Sequence, residues 1–304
     1  MDRRDFLKLA ACAALLPPLP ANGSSKIAFT FDDPSTNSSA NLTWQQLNQC
    51  LLTALAQHQL SAALFVCGKR VDSPAGRELV ASWNDASHLV GNHSYSHLYF
   101  PNMPLSDFEA DAVKNEPLIR DYSHFARLYR YPFFKEGDTA AKRDGMRAFL
   151  ASHGYRIGRA TIDASDWAID ARLAKRAAAS PAADLTPYRD FYLQHIWERA
   201  TYYDSLAWRL SLSPVRHTLL LHHNALNALF FSDLVVMFQK KGWEPVNAQY
   251  AYQDPVYNRQ PAILPAGESL IWALAKESGK FEKELRYPGE DDIYENPKMD
   301  ALGL

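Results

Sequence analysis

Short β-rich runs alternate with amphipathic helical stretches along most of this chain, and run after run stops at a polar cluster. That alternation constrains the fold more than any single residue does. Strands joined by helices lie parallel in one sheet, either open or closed into a barrel. Residues 26–31 form the first run, which ends at Asp32-Asp33-Pro34, where proline and the Ser/Thr/Asn residues after it force a loop. Residues 43–57 set Leu47, Leu51, Leu52, Leu55 and Ala56 at helical spacing, and a second strand over 62–67 is bounded by Gly68. The pattern predicts further strands at 89–90, 127–131, 155–161, 218–221 and 243–246, and helices at 75–84, 106–121, 140–153, 231–240 and 267–277. Residues 168–214 read as a mostly helical insertion or long crossover, with a helix over 191–210. In parallel α/β folds the active site forms at the carboxyl ends of the strands. The polar clusters fall there.

The chain has 304 residues, of which 47% are hydrophobic, enough to bury one large core. The reading is one domain over residues 23–250, with a C-terminal extension, 251–304, packed upon it. A net charge of -2 gives no basic face for nucleic acid or for an anionic membrane surface. Residues 1–22 differ from the rest: Arg3-Arg4-Asp5-Phe6-Leu7-Lys8 precedes an Ala/Leu-rich run, then prolines and Ala21. This resembles a twin-arginine export signal and implies a periplasmic protein. A short amphipathic terminus and a lipoprotein site at Cys12 are the other readings. Beyond this segment no stretch reaches the ~20 apolar residues of a spanning helix, so no stable membrane span is expected. Only Cys50 and Cys67 would remain after cleavage. One bridge between them is open, but the fold does not depend on a disulfide framework. No obligate protein partner is evident.

Five clusters carry the chemistry: Asp32-Asp33, His93-x-x-x-His97, Arg130-Tyr131-Pro132-Phe133, Asp163-Ala164-Ser165-Asp166-Trp167 and Leu220-Leu221-His222. Two imidazoles four apart on one face of a helical turn can reach one metal ion. A carboxylate from elsewhere would complete three ligands and leave positions open for water and substrate. Taken alone, the histidine pair reads first as exposed or as satisfied within the core. Adjacent carboxylates diverge on an extended chain, so one can bind metal while the other takes a proton. An Asx-turn or a helix cap is the plainer account of that pair.

In this order and context the clusters resemble the five motifs of the NodB-homology polysaccharide deacetylases, carbohydrate esterase family four. The resemblance covers about residues 26–246 and implies a distorted (β/α)7-type barrel in the α/β class. It implies one divalent metal ion, usually zinc, held by Asp33, His93 and His97. Asp32 would be the general base, kept ionised by Arg130, and His222 the general acid, tuned by Asp163 or Asp166. Trp167 and Leu220 would wall a pocket for the acetyl methyl, and the main-chain N–H of Phe133 would help bind the oxyanion. The implied partner is an acetylated glycan, N-acetyl ahead of O-acetyl. A catalytically silent glycan- or metal-binding protein and a hydrolase of non-sugar amides are the alternatives.

Two positions depart from the family pattern. Pro34 stands where glycine is usual, so the loop cannot copy a geometry needing positive φ at that residue. His223 stands where aspartate is common and reads as a loop histidine. Tyr188, Tyr202, Tyr203 and Trp208 could grip a sugar chain, although core packing is the plainer account of most aromatics here.

Overall fold

The computed structural model describes residues 24–212, 214–286 and 292–304. The export signal read over 1–22, and Cys12 within it, lie outside the described residues. In chain order the elements are β1 (Lys26–Asp32), α1 (Trp44–Gln57), β2 (Ala63–Val66), α2 (Gly68–Val71), α3 (Pro74–Asp85), β3 (Leu89–Asn92), α4 (Leu105–Ile119) and β4 (Phe125–Tyr129). There follow β5 (Lys135–Gly137), α5 (Ala140–Ser152), β6 (Arg156–Ile157), α6 (Asp166–Ala179), α7 (Thr186–Arg209), β7 (Arg216–His222) and α8 (Ala225–Lys240). The described chain closes with β8 (Glu244–Pro245), α9 (Ala248–Ala251), β9 (Ala266–Gly267), α10 (Leu270–Glu277) and α11 (Asp292–Leu302).

The main sheet is parallel throughout and runs β6-β4-β3-β2-β1-β7, with β8 beside the start of β1. It curls until its two edges nearly meet, as in the distorted (β/α)7-type barrel that the motif resemblance implies. The strand read over 155–161 divides to achieve this. Arg156 and Ile157 pair with β4, after which the chain crosses over and Ile162 pairs with Leu219 of β7. Leu220 N–H donates to Ile162 C=O at 3.0 Å.

The pleat of β1 sorts its side chains. Phe29 and Phe31 face outward, and their rings meet Phe231 of α8 and Trp83 of α3 at centroid distances of 4.9 to 5.4 Å. Thr30 and Asp32 share the opposite, interior face, because neighbours on a strand alternate. β7 repeats the rule: Leu219 and Leu221 join the outer core, while Leu220 packs inward with Phe134 and Ala160. Phe65 fills the interior from β2, with the Arg130 guanidinium 3.9 Å from its ring centroid. Two glycines make room for that ring. A Cβ on Gly91 would lie 2.8 Å from it, and one on Gly158 only 2.5 Å away.

The C-terminal segment is part of this packing. β9 pairs antiparallel with β5, and Tyr252 is buried against Arg130. On α11, Glu295 is buried and accepts from Arg286 at 2.8 Å. Tyr188 and Tyr203 are core residues, and Tyr202 donates to Glu284 C=O, as their bulk and apolar spacing allow. Cys50 is exposed, Cys67 buried, and both are free thiols. Among the described residues no helix is long and apolar enough to cross a membrane.

Because Phe65 is caught between Arg130 and the two glycines, Gly158→Ala should destabilise the protein by about 1–3 kcal/mol, as overpacking does. Urea denaturation measures it; an unshifted midpoint would mean that the ring has room to move.

Candidate active site

The site is assembled at the carboxyl ends of β1, β3, β4 and β7. Asp32 is the last residue of β1 and lies opposite His222 of β7 in the strand register. It is buried, and its Oδ1 accepts from Arg130 NH1 at 2.6 Å. Arg130 spends its other donors nearby: Nε on Gly158 C=O at 2.8 Å, NH1 also on Thr30 Oγ1 at 2.9 Å, and NH2 on the Tyr252 hydroxyl at 2.9 Å. A buried guanidinium without such partners would be costly.

Asp33 turns away from its neighbour through a left-handed backbone, φ 58°. The positive φ thus falls on Asp33, one residue before Pro34. Its Oδ2 is 3.4 Å from His97 Nε2, and its Oδ1 is 3.1 Å from Arg70 Nε. Burial works against the charge of Asp33, but His93, His97, Arg70 and His222 outweigh it and hold the carboxyl below its usual pKa.

His93 and His97 do not share a helical turn, contrary to the sequence expectation. They lie in an irregular loop after β3, with left-handed backbone at Ser94 (φ 63°) and His97 (φ 55°). Buried polar side chains offer this loop better partners than a helix would. Asn92 Oδ1 accepts from Ser94 N–H, Asp111 Oδ2 accepts from the Tyr95 and Ser96 N–H groups, and Ser94 Oγ accepts from His97 N–H. Asn115 clamps Asn92 Oδ1 at 2.9 Å. The two rings still converge, with centroids 5.0 Å apart.

The donors of Asp33, His93 and His97 lie within 4.8 Å of one another. His93 Nδ1–H donates to Arg130 C=O at 2.8 Å, which leaves the Nε2 lone pair free to face the site. Burial, and then His93, depress the His97 pKa to about 4, so that ring is neutral near pH 7. Two imidazoles and a carboxylate converging at this distance fit a zinc-like cation with open positions.

Across the site, Asp166 at the start of α6 accepts from both the main-chain N–H of His222 (2.9 Å) and its Nδ1 (2.7 Å). Asn227 adds a third bond to Asp166 at 2.6 Å. Asp166 thus holds this imidazole by two bonds; Asp163 is partly buried. Burial opposes charge on His222, but Asp166 overcomes it, and with Asp32 and Asp33 lifts the pKa to about 9. His223 points the other way: its ring is buried beside Trp83 and Asn48, and burial depresses its pKa to about 4.

Phe133 has φ 57°, is 54% exposed, and sets its ring edge-on to His97 at 4.5 Å. Trp167 is 45% exposed on the first turn of α6, whereas Leu220 is buried. Arg70, Asp111 and Tyr252 escaped the sequence reading. For Asp111 a signal existed, since it shares the apolar stripe of α4 with Phe108, Ala112, Asn115 and Ile119.

A polysaccharide deacetylase family model matches residues 20–157, which takes in the first three clusters. A peptidoglycan-N-acetylglucosamine deacetylase of Bacillus cereus is 27% identical over 171 residues, 55% of this chain and 58% of that protein. A second from the same organism is 20% identical over 153 residues, 49% of this chain and 53% of the relative. The chain thus spans little more than half the length of these relatives. Among solved structures, a polysaccharide deacetylase from Bacillus cereus superposes with TM-score 0.52 at 19% identity, covering 72% of this chain and 90% of the other. The chitin deacetylase of the fungal pathogen Colletotrichum lindemuthianum gives 0.51 at 17%, with 76% and 88% covered. A CE4 family pseudoenzyme from Bacillus anthracis gives 0.54 at 15%, with 75% and 65% covered.

The raised pKa of His222 has a signed consequence. The pair with Asp166 stabilises the fold in full below pH 6.5, and that contribution is lost as pH rises through about 9. In Asp166→Asn the imidazole should titrate near or below 6.5, as followed by its ring proton resonances. A pKa still near 9 would assign the effect to other groups.

Proposed function

We propose that this chain, with the fold and sequence signature of the polysaccharide deacetylases, is a metal-dependent hydrolase that removes acetyl groups from a glycan, N-acetyl ahead of O-acetyl. One observation carries the reading: an acid group and a base group flank the same candidate cation site from adjacent strands. Asp32 Oδ2 lies 3.6 Å from His93 Nε2 while Arg130 occupies Oδ1, so one carboxylate oxygen faces the site as a proton acceptor. His222, protonated below about pH 9, faces it from β7 as a proton donor.

Asp33, His93 and His97 would hold the cation, which supplies Lewis acidity toward an acyl oxygen and toward water. The chain's own residues do the rest. Asp32 accepts a proton from the attacking water, and Arg130 pairs with that carboxylate and aims it. The Phe133 main-chain N–H, presented by a left-handed turn, would meet the developing oxyanion. His222 protonates the departing sugar nitrogen, and Asp166 fixes the ring so that Nε2 makes the transfer. Trp167 and Leu220 would border the acetyl methyl, with Asp163 in the segment that leads into α6. The twin-arginine-like start of the sequence supports a periplasmic protein acting on an envelope glycan.

The likeness to a pseudoenzyme supports a second reading, glycan binding without turnover. Asp32 and the His222–Asp166 pair favour catalysis, because binding alone requires neither a base nor an acid.

Dialysis against a chelator should abolish acetate release from an N-acetylglucosamine oligomer, and zinc or cobalt should restore it. Asp32→Asn should retain the metal but lose at least ~100-fold in turnover. Activity that survives rigorous metal removal, or an undiminished Asp32→Asn, would contradict the mechanism.

A further inference from the structure

The loop that brings Asp166 to the site is held from behind by a histidine outside the reaction. His195 lies within α7, 2% exposed, with its ring parallel to that of Phe191 one turn earlier. Its Nε2 stands 2.6 Å from the C=O of Ala164, two residues before Asp166. A carbonyl can only accept, so Nε2 carries the proton. Burial depresses the pKa of this ring to about 3, which leaves it neutral near pH 7 with its lone pair on Nδ1. Nδ1 faces Glu295 of α11 at 3.6 Å. Residues 292–304 also grip α6 itself: Arg172 donates to Asp300 Oδ1 and to the C=O of Leu304, both at 2.7 Å.

Between Ala164 and Asp166 the chain passes through Ser165, whose backbone is left-handed, φ 47°, and whose hydroxyl is buried without a hydrogen-bond partner among the described residues. Ala164, Ser165 and Asp166 are all fully buried. A left-handed serine persists only where its surroundings over-determine it, and a buried carbonyl needs a donor. His195 answers both needs with one bond. We propose that His195 is a positioning residue for the proton donor: by holding the Ala164 carbonyl it fixes the turn at Ser165, and so sets Asp166 where it aims the His222 ring. The inference takes the role of His222 from the hydrolase reading, whereas the hold on Asp166 stands on the hydrogen bonds alone.

Ring-nitrogen resonances of the zinc-loaded, full-length chain should show His195 as the Nε2–H tautomer; a proton on Nδ1 would overturn the inference. That reading needs no substitution, so it decides the matter even if a variant does not fold. His195→Phe keeps a ring beside Phe191 but removes the donor, and His195→Gln returns an amide N–H to the same carbonyl. With phenylalanine, hydrogen exchange at the His222 amide, which donates to Asp166, should quicken about tenfold while the β2 and β3 amides keep their rates. The kcat for acetate release from an N-acetylglucosamine oligomer should fall about tenfold with KM within about twofold, and glutamine should restore both readouts to within about threefold. Unchanged exchange at His222, or a uniform rise across the sheet, would overturn the positioning role. Quickened exchange at His222 in a chain that releases no acetate would uphold it and sink the hydrolytic reading. Acetate release indifferent to both substitutions would do the reverse.

Discussion

The structure depends on one buried cation. Arg130 sits inside the barrel, where a guanidinium without partners would cost several kcal/mol, and each neighbour is arranged to prevent that. Thr30, Asp32, Gly158 and Tyr252 take its N–H groups, and the Phe65 ring lies against its face. Its main chain is committed as well: its N–H donates to Asn92 C=O, and its own C=O accepts from His93 Nδ1. One residue therefore aims the carboxylate beside the site and turns a histidine lone pair into it. The glycines at 91 and 158 serve the same end by admitting Phe65 beneath the guanidinium.

Around this centre the backbone is strained where function would need it. Asp33, Ser94, His97, Phe133 and Ser165 all have positive φ, although none is glycine. Such residues cost of order 1–3 kcal/mol each and persist only when their surroundings over-determine them. Here Asn92, Asp111 and the Ser94 hydroxyl hold the histidine loop, and Asp166 with Asn227 holds the start of α6 against His222. Regular strands could not converge their end residues on one point. The left-handed turns re-aim them.

Much of this was legible in the sequence because it is local. The alternation in β1 announces two faces, and Asp32-Asp33, His93-His97 and His222 mark strand ends in order. What escaped was long-range. A helical turn was expected for His93-x-x-x-His97 because spacing alone cannot reveal that Asp111, from α4, captures the loop's N–H groups. The strand over 155–161 read as continuous, since nothing local tells Ile157 to pair with β4 and Ile162 with β7. Arg70 and Tyr252 looked like ordinary surface and tail residues until folding brought them to Asp33 and Arg130.

The central claim is that Asp33, His93 and His97 share one cation. X-ray absorption at the zinc edge of the loaded chain tests it most directly. The account predicts one zinc per chain, with two imidazole nitrogens at about 2.0–2.1 Å and carboxylate oxygen in the remaining shell. The imidazole scattering should be lost in His93→Ala. Sulfur in the first shell, or a spectrum unchanged by that substitution, would contradict it.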